Sequence, residues 1–483
     1  MHEVSLLIGG KKVAASDGAT IDRIDPVTGD IASRAAAATL EDADRACAAA
    51  QAAFPAWRAM GPGKRRKKLL LAADLMDKAA PRFIEAGMAE MGGTGMWYGF
   101  NVMLSAQILR EAAAMTTQIT GEVLPSDVPG SMAMGMRQPV GVVLGIAPWN
   151  APVILGTRAI AMPLACGNTV VLKASESCPA VHALIGEVMQ EAGLGDGVVN
   201  VITSAPKDAP AIVERLIANP AVRRVNFTGS THVGRIVAQH AAQHLKPVLL
   251  ELGGKAPLLV LHDADLDEAA AAANFGAFMN QGQICMSTER LIVDHHVADA
   301  FVAKLAEKAR GLVAGDPRRK DVQLGSLVSK EAAQRIKGLV DDAVSKGATI
   351  VVGGDVDGAI MQPTVLDGVT AAMKLYSEES FGPVVAVIRA ADDEDAIRIA
   401  NDSPFGLSSA LFSRDIARAL DLAARIDSGI CHINGPTVHD EANMPFGGVK
   451  DSGYGRFGSK ASIAEFTELR WVTVQKTHRH YPF

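Results

Sequence analysis

Short apolar runs alternate with helical patterns between residues 141 and 262 of the chain. Short apolar runs bounded by turn residues are typical of buried strands, and apolar residues that recur every three or four positions indicate helices. The pattern predicts six strands: GVVLGIAPW, NTVVLKAS, GVVNVIT, RRVNFTG, PVLLELGG and APLLVLHD. It predicts helices in four segments between them: VILGTRAIAMPLACG, AVHALIGEVMQEAGL, DAPAIVERLIAN and HVGRIVAQHAAQH. This succession predicts parallel strands with right-handed crossovers, and such sheets bind ligands at the carboxyl ends of their strands.

A second alternating stretch runs from about residue 290 to 440. It predicts strands at RLIVD, ATIVVGG, VVAVIRA and GICHIN, and a helix at ADAFVAKLAEKARGL. We therefore expect two α/β domains, preceded by a helical stretch over 40–120. Residues 121–140 and the last twenty or so fit neither core, and we interpret them as arms for assembly.

Length and composition restrict the class of protein. A chain of 483 residues suggests about two to four domains. The net charge of -6, with basic residues spread along the chain, argues against a nucleic-acid or anionic-membrane partner. No apolar run approaches the roughly twenty residues of a membrane span, and the first residues lack the plan of a signal peptide, so a cytoplasmic protein is expected. The five cysteines are widely spaced and form no CxxC pair, which argues against a disulfide scaffold or a structural zinc site; no metal is expected.

Cys285 lies in an unusually polar stretch, NQGQICMSTER. An unreactive cysteine behaves as a small hydrophobe and is usually buried, so polar neighbours favour a thiol that meets a ligand. Glu251, in LLELGGK, ends a predicted strand, where burial can raise a carboxylate's pKa towards that of a general base. Asn150, in APWNAP, offers a fixed amide as an oxyanion donor. Taken singly, a capping or ion-paired glutamate and an ordinary turn asparagine explain these residues as well.

Two further strand ends carry residues suited to a nucleotide. In FTGSTHVG, Gly229, Ser230 and Gly234 open a helix whose N–H groups could face a pyrophosphate, although the spacing is not GxGxxG and a merely tight turn is the alternative. In VVLKASE, Lys173 and Glu176 could bind phosphate or hydroxyl groups, or could simply be exposed. Together these candidates fall at the carboxyl ends of four strands of one predicted sheet, and that convergence indicates covalent redox catalysis at a carbonyl.

The order of motifs makes the chain recognisable. Over nearly its whole length the chain resembles the NAD(P)-dependent aldehyde dehydrogenase superfamily. The motifs that carry the resemblance are, in order, APWN, VLKASE, FTGS, LELGGK, GQIC, EESFGPV and MPFGGVKDSGYGR. FNQGQICMSTERLIV, GMWYGFNV, MRQPVG and the ending YPF are similar to the salicylaldehyde and vanillin dehydrogenases within it. The resemblance implies a Rossmann-like cofactor domain over 1–120 and 141–253, a catalytic α/β domain over 254–452, and a small β arm for oligomerisation over 121–140 and 453–483.

The resemblance also implies residue roles. Cys285 would attack the aldehyde, the Asn150 amide and the Cys285 N–H would hold the oxyanion, and Glu251 would activate the water that hydrolyses the thioester. The implied cofactor-binding residues are Lys173, Glu176, Gly229, Ser230, Gly234, Glu379, Phe381 and Trp149. Glu176 favours NAD, since its carboxylate would repel the extra phosphate of NADP, although NADP can be used within the superfamily.

The implied aldehyde pocket is less specific. Its candidates are Trp97, Arg158, Ile284, Met286 and Phe446. Arg158 stands out in an otherwise apolar segment; we hypothesise that it contacts a polar ring substituent or Glu251, the alternative being a structural salt bridge. The expected substrate is an aromatic aldehyde of the salicylaldehyde, vanillin or benzaldehyde type, and the expected assembly is a homodimer or homotetramer.

Other functions are open to such a chain. An aldehyde dehydrogenase of broad or aliphatic specificity would share every motif. An acylating enzyme that uses coenzyme A would lack the base that Glu251 supplies, and a non-catalytic member of the fold would lack nucleophile or base. A cysteine hydrolase would need a partner histidine, and no motif recommends His232, His240, His244, His295 or His296.

Overall fold

The structure is a computed structural model that describes residues 1–483. Its helices are α1 (Leu40–Ala59), α2 (Pro62–Lys78), α3 (Ala80–Met91), α4 (Gly95–Met115), α5 (Pro152–Ala165), α6 (Pro179–Glu191), α7 (Ala209–Ala218), α8 (Thr231–Gln243), α9 (Leu266–Phe278), α10 (Ala298–Arg310), α11 (Lys330–Ser345), α12 (Lys374–Ser377), α13 (Asp393–Asn401), α14 (Ile416–Ala423) and α15 (Ala461–Glu465), with a 3-10 turn at Met279–Gly282. None of these helices is both long enough and apolar enough to cross a membrane.

The strands fall into three groups along the chain. Before the first alternating stretch lie β1 (His2–Val4), β2 (Leu6–Ile8), β3 (Lys11–Val13), β4 (Thr20–Ile24), β5 (Ile31–Ala36), β6 (Glu122–Leu124) and β7 (Ser131–Pro139). The first stretch holds β8 (Val142–Ile146), β9 (Thr169–Lys173), β10 (Val199–Ile202), β11 (Val222–Thr228), β12 (Val248–Glu251) and β13 (Ala256–Val260). The remainder are β14 (Thr288–Asp294), β15 (Thr349–Val352), β16 (Val356–Asp357), β17 (Ile360–Met361), β18 (Thr364–Asp367), β19 (Val384–Ala390), β20 (Phe405–Gly406), β21 (Ser408–Phe412), β22 (Ile430–Ile433), β23 (Val449–Lys450), β24 (Gly453–Tyr454) and β25 (Thr467–Gln475).

The first large sheet has eight strands in the order β24-β12-β11-β8-β9-β10-β2-β3. Its five central strands are parallel, as the alternating pattern predicts. In β8 every residue is buried, and alternate side chains enter different cores: Val143 packs in one and Val142 and Leu144 in the other. Such near-continuous apolar strands are typical of a parallel sheet covered by helices on both faces.

The second large sheet has seven strands in the order β15-β18-β19-β14-β13-β21-β22. Separate apolar cores cover its two faces. The segment APLLVLHD, which the pattern placed at the end of the first alternating run, forms β13 and lies in this second sheet. The chain changes sheets between β12 and β13, so Glu251 and Lys255 lie on either side of the crossing.

The two segments outside these cores pair with each other. Strands β25, β7 and β6 form an antiparallel sheet, with Thr467 opposite Pro139 and Gln475 opposite Ser131. Several large apolar side chains of this sheet are exposed, including Trp471 and Leu469. The assignment of these arms to an oligomer interface, and the division of the chain into the three domains, stay predictions.

Candidate active site

Four parallel strands end side by side at one edge of the first sheet. Strands β12, β11, β8 and β9 are neighbours in that order, and they lead directly to Glu251, Gly229, Asn150 and Lys173. The structure therefore brings together the strand ends that the sequence singled out. The edge where they meet is the expected ligand site of a parallel sheet.

The loop that carries Cys285 has an unusual backbone. Asn280, Gln281 and Gly282 have φ values of 49°, 55° and 69°, in the left-handed region that side chains other than glycine rarely adopt. The side chains of Gln281 and Gln283 hold the loop from both sides: Gln281 bonds the Gly325 N–H and the Ser326 carbonyl, and Gln283 accepts the Val328 N–H at 3.0 Å. The polar residues before Cys285 thus fix a strained loop, and strain of this kind is concentrated at functional sites.

A glycine pair allows the strand that ends at Glu251 to approach this loop. A Cβ on Gly254 would lie 2.3 Å from the carbonyl oxygen of Cys285, and a Cβ on Gly253 would lie 2.8 Å from the Glu379 carboxylate. The Gly254 N–H instead donates to Glu379 Oε1 at 2.9 Å. The motif LELGGK therefore packs the main chain against both the cysteine and the segment EESFGPV.

The main chain of Asn150 is held by two donors. Its carbonyl accepts the indole N–H of Trp97 at 3.0 Å and the amide of Asn280 at 3.1 Å. The Asn150 side-chain amide donates one N–H to the carbonyl of Gln283 at 3.0 Å. This bond orients the amide beside Cys285 and leaves its second N–H available for an oxyanion.

Glu251 is 1% exposed, and neither of its carboxylate oxygens has a hydrogen-bond partner. Burial raises the pKa of Glu251 to about 8; the charge of Arg158 lowers this pKa and that of Asp440 raises it. A carboxyl group that titrates near neutral pH suits a general base.

The Cys285 thiol titrates in the same environment. Burial raises the pKa of Cys285 well above its usual value, and the Glu251 charge raises it further. A charge on Glu251 therefore disfavours the Cys285 thiolate, in addition to the effect of burial.

Cys285 stands where two cavities meet. The first, which we call the apolar cavity, has a volume of about 460 Å³, and 13 of its 18 lining residues are hydrophobic. The second, the strand-end groove, has a volume of about 250 Å³ and lies over the ends of β8, β11 and β12. Asn150, Leu155 and Cys285 line both.

The five sequence candidates for a substrate pocket all line the apolar cavity: Trp97, Arg158, Ile284, Met286 and Phe446. Sequence reasoning missed other lining residues, among them Phe100, Phe275, Ile154, Val438, His439 and Asp440. The stretch GMWYGF pointed to Trp97 and its surroundings, but nothing in the local sequence marks Asp440.

Arg158 makes a buried ion pair. Its Nη2 donates to Asp440 Oδ2 at 2.6 Å, and the two side chains are only 7% and 9% exposed. Its guanidinium lies 4.4 Å from the centre of the Phe446 ring. The positive charge of Arg158 lowers the pKa of Glu251, and no hydrogen bond joins the two side chains.

The strand-end groove is lined by five of the eight cofactor candidates: Trp149, Gly229, Ser230, Glu379 and Phe381. The Trp149 and Phe381 rings meet edge to face at 5.6 Å. Phe381 has a φ of 48°, a conformation that its neighbours must hold in place. Ser230 caps α8 by accepting the Val233 N–H, so the amino end of this helix lies at the groove.

Three cofactor candidates lie outside the groove lining. Lys173 Nζ and Glu176 Oε1 contact each other at the end of β9, and Ser204 Oγ donates to the same Glu176 oxygen at 3.2 Å. Gly234 lies in α8, where a Cβ would come within 2.4 Å of the Leu252 side chain. In the structure Gly234 therefore serves close packing of α8 on the sheet.

His439, which no sequence motif marks, lines the apolar cavity together with Cys285. Its Nε2 pairs with Glu441 Oε1 at 2.8 Å. Cys285 Sγ makes no hydrogen bond to any histidine, so the thiol–imidazole pair of a cysteine hydrolase is missing from the geometry.

Comparison with known proteins agrees with this geometry. The model of the Aldehyde dehydrogenase family matches residues 13–472. The chain belongs to the aldehyde dehydrogenase family. It is therefore an oxidoreductase acting on aldehydes, and members of its family use NAD or NADP. The fold expected from the sequence is confirmed.

Close relatives are found at both the sequence and the structure level. The chain is 69% identical to a vanillin dehydrogenase of Pseudomonas fluorescens and 52% identical to a salicylaldehyde dehydrogenase of Pseudomonas putida, in each case over 100% of both chains. The crystal structure of a salicylaldehyde dehydrogenase from Pseudomonas putida G7 complexed with salicylaldehyde superposes with a TM-score of 0.98 at 51% identity, and covers 100% of both chains.

Proposed function

We propose that this aldehyde dehydrogenase oxidises an aromatic aldehyde to the carboxylic acid with NAD, through a covalent intermediate on Cys285. The observation that carries the proposal is the position of Cys285 between the apolar cavity and the strand-end groove. A thiol in that position can bind an aldehyde that enters from the apolar cavity, and the carbonyl carbon of the aldehyde then faces a cofactor in the strand-end groove. The relatives that act on vanillin and salicylaldehyde support the aromatic ring.

The lining of the strand-end groove would suit the pyrophosphate and nicotinamide parts of a nicotinamide dinucleotide. The amino end of α8 offers N–H groups to a pyrophosphate. The Glu379 carboxylate can accept hydrogen bonds from the nicotinamide ribose, and Trp149 and Phe381 provide an aromatic wall. Lys173 and Glu176, on the neighbouring strand end, would bind the adenosine ribose. When bound, the nicotinamide accepts a hydride from the substrate carbon.

The first half of the reaction joins Cys285 to the aldehyde. The thiol gives its proton to solvent, and its sulfur attacks the carbonyl carbon. The π electrons of the C=O bond move onto the oxygen, which gives the hemithioacetal as an oxyanion. The oxygen that becomes negative is stabilised by the free N–H of the Asn150 amide and by the Cys285 backbone N–H. Donors that are already oriented, as Asn150 is by Trp97, Asn280 and Gln283, stabilise such charge without reorganisation.

The second half of the reaction releases the acid. Loss of the hydride leaves a thioester on Cys285, which water must attack. Glu251 accepts a proton from that water as the water oxygen adds to the carbonyl carbon. The C–S bond then breaks, and the Glu251 proton passes to the sulfur, which gives the carboxylic acid and the thiol. The raised pKa of Glu251 matches the carboxyl group to this task near neutral pH.

An aromatic preference is the direct test of the proposal. We expect kcat/KM for benzaldehyde, salicylaldehyde and vanillin to exceed that for acetaldehyde by about tenfold or more, because even one buried methylene group changes such ratios by roughly 10-fold. The rate of NAD reduction by the purified protein measures this. An equal or higher kcat/KM for acetaldehyde would contradict the aromatic preference and indicate an aldehyde dehydrogenase of aliphatic or broad specificity.

A preference for NAD follows from Glu176. Its carboxylate would repel the extra phosphate of NADP, so we expect kcat/KM for NAD to exceed that for NADP by about tenfold or more. In Glu176→Gln the ratio should fall, chiefly because NADP binds better. Glu214→Gln, which removes the same charge from a side chain that is 60% exposed on α7, is the matched control. An unchanged ratio in Glu176→Gln would contradict this role.

A further inference from the structure

The ion pair between Arg158 and Asp440 is unusual for its surroundings. Both residues line the apolar cavity, which also contains Cys285, and both side chains are more than nine-tenths buried. Placing two charges in an apolar wall is favourable only when their remaining hydrogen-bonding capacity is met. In a merely structural pair we would therefore expect further partners from the protein.

Those partners are absent. Asp440 Oδ2 accepts from Arg158, but Asp440 Oδ1 has no hydrogen-bond partner although it is shielded from solvent. Arg158 donates a single hydrogen bond, to Asp440, and the Phe446 ring covers one face of its guanidinium. A buried carboxylate oxygen without a partner calls for a specific explanation, such as a group that is present only when a ligand binds.

The ring of an aromatic aldehyde would bring such a group. When the aldehyde carbonyl lies at Cys285 and Asn150, the aromatic ring lies in the apolar cavity. A hydroxyl substituent on that ring would supply the missing polar partner. A hydroxyl both donates and accepts, so it matches a free carboxylate oxygen beside free guanidinium N–H groups.

We propose that Asp440 is a specificity-determining residue: its free Oδ1 accepts a hydrogen bond from a ring hydroxyl of the substrate, whose oxygen accepts one from Arg158. Asp440 also holds Arg158 against Phe446, so the two side chains act together. The inference rests on the proposed function, because it assumes an aromatic aldehyde bound at Cys285. It narrows the substrate class to hydroxylated benzaldehydes.

A substrate series tests the wild-type enzyme. The hydroxy-, methoxy- and methylbenzaldehydes are compared at each ring position, with unsubstituted benzaldehyde as the reference. A methyl group neither donates nor accepts, and a methoxy group accepts from Arg158 but cannot donate to Asp440. We expect the hydroxyl compound to exceed both others in kcat/KM by about tenfold or more at one ring position at least.

Asp440→Asn tests the residue itself. Asparagine keeps an oxygen for Arg158 and replaces the free carboxylate oxygen with an N–H group, which cannot accept the hydroxyl proton. The hydroxyl-to-methyl ratio of kcat/KM should fall about tenfold. The ratio is the readout because loss of the Asp440 charge also acts on Glu251, and that effect is common to all the substrates and cancels. Glu441→Gln removes the same charge from the next residue, whose side chain is 48% exposed, and should leave the ratio unchanged.

The outcomes separate this inference from the proposed function. If benzaldehyde is oxidised but no hydroxyl compound exceeds its methoxy and methyl counterparts, or if Asp440→Asn keeps the wild-type ratio, the role of Asp440 is overturned and the dehydrogenase stands. If no benzaldehyde, hydroxylated or not, is oxidised better than acetaldehyde, the proposed function itself fails. Should Asp440→Asn not fold, the wild-type series decides: methyl is close to hydroxyl in size and methoxy shares its acceptor oxygen, so the proposal requires hydroxyl to exceed both at one ring position.

Discussion

Replacement of Cys285 by alanine is expected to lower kcat for aldehyde oxidation by a factor of about 10⁴ or more. Without the sulfur no hemithioacetal forms, and a bare aldehyde is a poor hydride donor. Serine at the same position should recover little, since a hydroxyl is a weak nucleophile at its ordinary pKa. The measurement is the steady-state rate of NAD reduction with benzaldehyde.

Cys431 offers a matched control for this change. It is the other cysteine that is only half-buried, and it lies in β22 of the second sheet. Cys431→Ser should keep kcat within about twofold, because its side chain lines neither cavity and a change away from the site should alter stability little. Turnover by Cys285→Ala above about one hundredth of the wild-type rate would mean that another group attacks the aldehyde.

Replacement of Glu251 by glutamine has the second largest expected effect. Hydrolysis of the thioester should slow by about 10²- to 10⁴-fold, the usual contribution of a general base. Water takes no part in forming the thioester, so this step does not need the base that activates water. One equivalent of NAD should therefore still be reduced in a rapid burst before the slow steady state. Folding should survive, since glutamine has the same shape and removes a charge that burial already disfavours.

The rate of thioester hydrolysis should depend on pH in a direction that the ionisation of Glu251 determines. Glu251 acts as a base only when it is ionised, and burial raises its pKa to about 8. Thioester hydrolysis in the wild type should therefore rise with pH up to about 8 and level off above it. In Glu251→Gln this rise should disappear from the slow phase, and any remaining pH dependence of the burst should report the Cys285 thiol. A wild-type rise that persists unchanged in Glu251→Gln would assign it to another group.

Much of the first sheet could be predicted from the sequence because its signal is local. Buried parallel strands are continuous apolar runs, as in GVVLGI and NTVVLK, and each is followed by turn residues that end it. Since parallel neighbours end at one edge, the apolar pattern alone predicts that Glu251, Asn150 and Lys173 converge. The boundary between the sheets could not be predicted, because β12 and β13 have the same apolar pattern and only their pairing separates them.

The contacts that make the site specific lie between distant segments. The indole of Trp97 reaches the carbonyl of Asn150, which is 53 residues away, and Arg158 pairs with Asp440 across 282 residues. No local pattern marks Asp440, whose neighbours are polar and half-exposed or exposed. Strand β3 could not be predicted for a related reason: its sequence, KKV, acquires strand structure from its pairing with β2 rather than from its own apolar content.

The covalent intermediate on Cys285 tests the account most directly. Glu251→Gln is mixed with NAD and benzaldehyde, quenched in acid during the slow phase, digested and examined by mass spectrometry. We predict a benzoyl group in thioester linkage on the peptide that contains Cys285, in an amount equal to the burst of NADH. An unmodified Cys285 peptide after a full burst, or a benzoyl group on another residue, would contradict the assignment of Cys285 as the nucleophile.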